Sequence, residues 1–126
     1  MKGLRMNPVE VRDIIYQILS GLAEMHACNL VHRNIRPKTI LLKKSLVNNQ
    51  PVVKVKLMDY RISCQVYPGY QEEFFTNLGT PGYVDPSLIA LKYGLTNSNT
   101  EQIHSVENKL KTDIFAVGAI LYQMIF

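Results

Sequence analysis

From Ile14 to Met25 the apolar side chains return at three- and four-residue spacing. Ile14, Ile15, Ile18, Leu19, Leu22 and Met25 make one stripe, while Arg12, Asp13, Gln17 and Glu24 fall off it, so an amphipathic helix with one core-facing side is predicted. Asn7 as cap, Pro8 as first helical residue and Glu10 as a reciprocal capping partner set its start, and the helix is expected to reach about Ala27. Asn29 suits a left-handed stop, and Leu30-Val31-His32 reads as a short extended piece. Residues 39–42 and 52–58 then read as two strands joined by a turn containing Asn48-Asn49-Gln50-Pro51. In the second strand Val53, Val55 and Leu57 alternate with Lys54 and Lys56, which predicts one buried and one wet face.

Beyond Tyr60 the pattern changes. Up to about Pro86 no period holds and Gly, Pro, Tyr and Thr are frequent; loops this long inside a compact domain tend to be functional. Residues 96–111 are polar and suggest a surface insertion ahead of a last helix. That helix, 114–126, has almost no polar side chain except Tyr122 and Gln123, so burial on nearly every side is predicted. Its 13 residues fall short of the ~20 that a membrane span needs. The apolar pattern still runs at Phe126 without a stop signal, from which a fragment, or a helix covered from elsewhere, is expected.

Size and charge narrow the classes. A chain of 126 residues with 47% hydrophobic and 19% charged residues suits one globular domain, spanning 1–126, and excludes collagen-like and disordered chains. The net charge of +4 is uneven: through Arg61 there are eleven basic and four acidic residues, beyond it three and six. A basic half attracts phosphates, nucleic acid or acidic lipid, or is simply a solvated surface. Two cysteines, Cys28 and Cys64, make no disulfide framework and suggest a reducing compartment, cytoplasmic or nuclear. The N-terminus shows no secretory signal and no membrane anchor.

Four segments carry candidate chemistry: His32-Arg33-Asn34-Ile35-Arg36-Pro37-Lys38-Thr39, Asp59-Tyr60-Arg61, Gly79-Thr80-Pro81-Gly82-Tyr83-Val84-Asp85-Pro86-Ser87, and Asp113-Ile114-Phe115-Ala116-Val117-Gly118. In that order the string resembles the C-terminal lobe of a eukaryotic-type Ser/Thr protein kinase, from the helix before the catalytic loop to the buried helix after the activation segment. The resemblance implies an α+β fold, mainly helical with a small β-hairpin. The small N-terminal lobe, with its Gly-rich loop and its Lys–Glu pair, is expected to be absent, and no G-x-G-x-x-G occurs in the chain.

The same resemblance assigns roles, and several positions depart from the family pattern. Asn34 stands where the family has the Asp that orients the substrate hydroxyl and takes its proton; an amide has little basicity. Arg36 replaces the phosphate-facing Lys and keeps its charge with a different shape. Thr39 replaces the Asn that helps hold a second magnesium. Asp59 matches the metal ligand, or is an ordinary carboxylate at a hairpin end. Tyr60 replaces Phe, and Arg61 stands where Gly would allow positive φ. Thr80 would face Asn34 and Arg36. Thr76 matches a common phosphorylation position with Arg33 as its partner, or is an unmodified loop residue. Asp85-Pro86-Ser87 lacks the Glu of the family's Ala-Pro-Glu. Asp113 would accept hydrogen bonds from the backbone around His32 and Arg33.

ATP and Mg2+ are the family's cofactors, and their binding by a chain so altered is in doubt. The leading expectation is a degenerate, pseudokinase-like module that binds a protein partner or regulates a kinase; the rivals are part of an active Ser/Thr kinase and a truncated product without activity. His26, Cys28 and His32 match no standard zinc spacing. The run from Arg33 to Arg61, with eight basic residues and one acid, lacks interleaved aromatics, so neither nucleic acid nor membrane is expected as a partner.

Overall fold

The computed structural model describes residues 6–69, 79–95 and 105–126. Helix α1, Pro8–Ala27, begins where Asn7 Oδ1 accepts the Val9 N–H at 2.9 Å, with Pro8 needing no donor of its own. The Glu10 carboxylate, expected to bond back to the cap, instead pairs with Lys44 at 2.6 Å. Asn29, at φ 54°, turns the chain out of the helix and into β1, Leu30–Val31.

A short 3-10 turn, Pro37–Thr39, leads into the antiparallel hairpin of β2, Ile40–Val47, and β3, Gln50–Leu57. The strands are longer than the sequence suggested, because the turn is only Asn48-Asn49. Both residues are left-handed, at φ 51° and 59°, which matches the strand twist, and Gln50-Pro51 belong to β3. Val53, Val55 and Leu57 face the core as the alternation predicted. The outer edge of β3 is closed by α1: Gln17 Nε2 donates to Val53 O at 2.9 Å and Gln17 Oε1 accepts the Val55 N–H at 3.1 Å. One amide thus does for two edge groups what a neighbouring strand would do.

Strand β4, Cys64–Gln65, lies in the stretch read as aperiodic and pairs antiparallel with β1. Helix α2, Pro86–Lys92, follows in a segment for which no element was predicted; Asp85 caps it by accepting the Ser87 N–H at 2.9 Å.

Helix α3, Val106–Ile125, corrects two expectations. It starts at a Ser105 cap, so residues 106–111 are helix and not surface insertion, and Lys109 among them is fully buried. Burial holds the Lys109 amine below its ordinary pKa, with Cys64 opposing the shift. Nor is the helix covered all round: Ala116, Val117 and Ile120 are buried on the face that meets α1, while Ile114, Phe115, Tyr122 and Phe126 are exposed. Only one stripe of a 3.6-residue period can face a single partner, whatever the composition of the rest.

The main core is Ile14, Ile18 and Leu22 of α1 against Ala116, Val117 and Ile120 of α3, with Ile35 between and β3 valines on the flank. Each fully buried Ile or Leu contributes about 1.5–3 kcal/mol by leaving water. A smaller core of Val31, Val66 and Leu88 holds β1, β4 and α2 together. Among the described residues no helix is long and apolar enough to cross a membrane.

Candidate functional site

The site forms where four elements converge: the loop after β1, the end of β3, the turn at Gly79-Thr80, and α3. Asp113 is its anchor. Buried to 1% exposure in α3, its Oδ2 accepts the His32 N–H at 2.8 Å and its Oδ1 the Arg33 N–H at 2.9 Å. His26 Nε2 of α1 donates to Oδ2 at 2.9 Å. These bonds hold Arg33 in a left-handed conformation, φ 71°, that a β-carbon ordinarily disfavours.

His32 is locked by its neighbours. Its Nε2 donates to Met58 O at 3.1 Å, and its Nδ1 accepts the Asn34 N–H at 3.2 Å, so the ring is a neutral tautomer. Burial pushes its pKa below the ordinary 6.5, more strongly than Asp113, the Met58 carbonyl and Asp59 raise it. Tyr60 packs against the ring with centroids 5.1 Å apart.

The loop then closes on itself through Thr39. Its hydroxyl lies within 2.7 Å of Asn34 O and 3.0 Å of Arg36 O, toward which it donates, and accepts the Arg36 N–H at 3.1 Å. The side chain is buried, so it serves as a latch within the loop. The Asn34 side chain points the other way: its Oδ1 accepts the Thr80 hydroxyl at 2.8 Å. Gly79 makes this approach possible. At φ +90°, a Cβ there would stand 2.4 Å from Arg33 O, so only glycine lets the two segments meet.

Asp59, two residues past the end of β3, has φ 67°; the positive φ falls on this residue and not on Arg61. Both of its oxygens are held by Arg61, Nε to Oδ1 at 2.7 Å and Nη2 to Oδ2 at 2.9 Å. This fork holds the carboxyl below its ordinary pKa, and the nearby Arg36 charge adds to the effect. Asn34, Asp59, Arg61, Ile62, Gly79 and Thr80 line a cleft of about 310 Å3.

These donors do not fit a magnesium ion. Asp59 already carries a cation, the Thr39 hydroxyl is enclosed by its own loop, and the described residues hold no cluster of three His, Cys, Asp or Glu side chains. His26 and His32 are used in separate hydrogen bonds, and Cys28 is exposed.

Thr76, the expected phosphorylation position, lies outside the described residues. Sequence reasoning missed Gly79 as a steric requirement and His26 as a third partner of Asp113. Their signals were the Gly-Thr dipeptide and a histidine in the last turn of α1, neither of which names a partner.

An anchoring aspartate under a His-Arg loop, a carboxylate just past a strand and a Gly-Thr turn thus converge on one cleft. The protein kinase domain family model matches residues 2–126, and the chain belongs to the protein kinase family. It is 29% identical over 116 residues to the human phosphorylase b kinase gamma catalytic chain, liver/testis isoform, covering 92% of this chain and 24% of that one. The hormonally up-regulated neu tumor-associated kinase of Mus musculus is 30% identical over 123 residues, covering 96% and 14%. A serine/threonine-protein kinase of Drosophila persimilis is 31% identical over 119 residues, covering 94% and 13%. The chain thus spans a quarter or less of the length of these relatives.

Proposed function

We propose that the chain is the C-terminal lobe of a Ser/Thr protein-kinase-like domain, impaired in phosphoryl transfer, that acts by binding a protein partner or regulating a kinase. One observation carries the reading: the side chain at the base position is the Asn34 amide, and its oxygen accepts the Thr80 hydroxyl. An amide oxygen accepts a hydrogen bond but holds no proton near neutral pH, so a substrate alcohol gains no general base there. Loss of such a base lowers rates by ~10²–10⁴-fold.

In this reading Arg36 supplies positive charge to a phosphate, and Thr80 positions Asn34. His32 and Asp113 are scaffold, and Arg33 is the partner for a phosphorylated Thr76. Residues 1–126 are a part of a protein kinase domain, from the helix before the catalytic loop through the buried helix after the activation segment, in the cytoplasm or nucleus, without nucleic acid or membrane as partner. The rival reading, a part of an active kinase using ATP and Mg2+, draws support from Asp59, two residues past β3, the position that the resemblance gives to a metal ligand.

The test is transfer of label from radiolabelled ATP with Mg2+ to a generic protein substrate. The expected result is no turnover above an Asp59→Ala control. Turnover that Asp59→Ala abolishes would establish the rival.

A further inference from the structure

The poor fit of the cleft to magnesium has a definite cause. Arg61 sits two residues after Asp59, in a turn closed by the Ser63 N–H on Tyr60 O at 3.1 Å, so the chain itself delivers the guanidinium to the carboxylate. The fork is complete, with one N–H on each oxygen at 2.7 and 2.9 Å. Each oxygen of Asp59 retains a lone pair, so the fork by itself does not exhaust this carboxylate. Charge opposes a cation there: a divalent ion on the remaining lone pairs would stand within a few ångströms of a guanidinium, with Arg36 adding repulsion of the same sign. The neutral oxygens on the same cleft, Asn34 Oδ1 and Thr80 Oγ1, are already bonded to each other at 2.8 Å.

We propose that Arg61 takes the place of a divalent cation at Asp59, so that the cleft of Asn34, Asp59 and Thr80 rejects divalent metal and loss of the guanidinium unmasks a cation site. The inference rests on the kinase reading of the cleft, but it concerns occupancy of one carboxylate and not turnover. Its size is bounded by exposure. The Arg61 side chain is 84% exposed while that of Asp59 is 14% exposed, so the clamp is a solvated arm over a sheltered carboxylate, and exposed pairs are weak. The expected effect is therefore roughly tenfold in apparent cation affinity.

Mn2+ is the probe, titrated into the isotope-labelled full chain while selective broadening of backbone amide signals is followed. In the wild type, residues 34 and 59–62 should broaden no more than the rest of the surface. Arg61→Ala should broaden them at about one-tenth the Mn2+ concentration, and Arg61→Gln, which keeps most of the stem, should do the same. The double change Asp59→Asn with Arg61→Ala should abolish the effect. Equal broadening in wild type and Arg61→Ala, or broadening that survives loss of Asp59, would overturn the proposal. No phosphate transfer is read, so an active enzyme with a closed Asp59 and an inactive one with an open Asp59 give different results.

Discussion

The two sides of the His32–Thr39 loop are built on opposite terms. On the inner side, Asp113 collects two backbone N–H groups and His26, and His32 bridges Met58 and Asn34, with Asp113 and His32 themselves buried. On the cleft side, Asn34 is tied to Thr80 and Asp59 to Arg61, at sites open to water. By the resemblance to kinases, the inner side keeps the expected residues at His32 and Asp113, the cleft side differs at Asn34 and Arg61, and Thr39 differs while latching the loop itself. Support of the loop and chemistry in the cleft are therefore separable demands on the sequence.

Changes to the inner side should have the largest effects. Asp113→Ala leaves buried N–H groups of His32 and Arg33 without an acceptor and should cost about 3–5 kcal/mol, read as a fall in the urea midpoint or loss of a cooperative transition. Ile18→Ala empties a fully buried site and should cost about 2–5 kcal/mol by the same measurement, with no specific effect on the loop. Either variant unfolding at the wild-type midpoint would break the distinction between the two sides.

His32 adds a pH dependence of known sign. Its folded pKa lies below 6.5, so between the two values the unfolded chain binds the extra proton. Stability is complete above pH 6.5 and should decline as pH falls through that value toward the folded pKa; His32→Gln should flatten the decline in urea melts taken across this range.

The cleft should respond least. Thr80→Val removes a single part-buried hydrogen bond and should cost about 0.5–1.5 kcal/mol. Asp59→Asn breaks a pair whose cation is solvated, and the urea midpoint should stay within experimental error. A large loss from Asp59→Asn would show that the cleft supports the fold after all, and would sharpen the comparison in the opposite direction.

Legibility followed the range of the interaction. Helix α1 was readable from end to end, because its stripe, its Asn7-Pro8 start and its Asn29 stop are all written within four residues of where they act. The hairpin was legible in kind but not in length, since Pro51 reads as a breaker and its place in a strand depends on the Asn48-Asn49 turn. Strand β4 is two residues long and leaves no period to detect. Helix α2 had a usable signal in Asp85-Pro86, a cap followed by a first-turn proline, that was absorbed into the surrounding loop.

The candidate site was legible as residue types and illegible as contacts. Asn34, Asp59 and Asp113 could be picked out by resemblance to the kinase motifs, but the Thr39 latch and the close approach at Gly79, where a Cβ would stand 2.4 Å from Arg33 O, could not.

By itself the sequence determined where the main helix and hairpin form and that position 34 carries an amide, because side-chain identity and short-range periodicity are local properties. Only the tertiary structure decided that Asp113 reaches a backbone 81 residues away, that α3 covers one face and not all of them, and that Asp59 turns onto Arg61. Those outcomes depend on loop dihedrals and on which surfaces meet, and no short-range pattern in the chain encodes either.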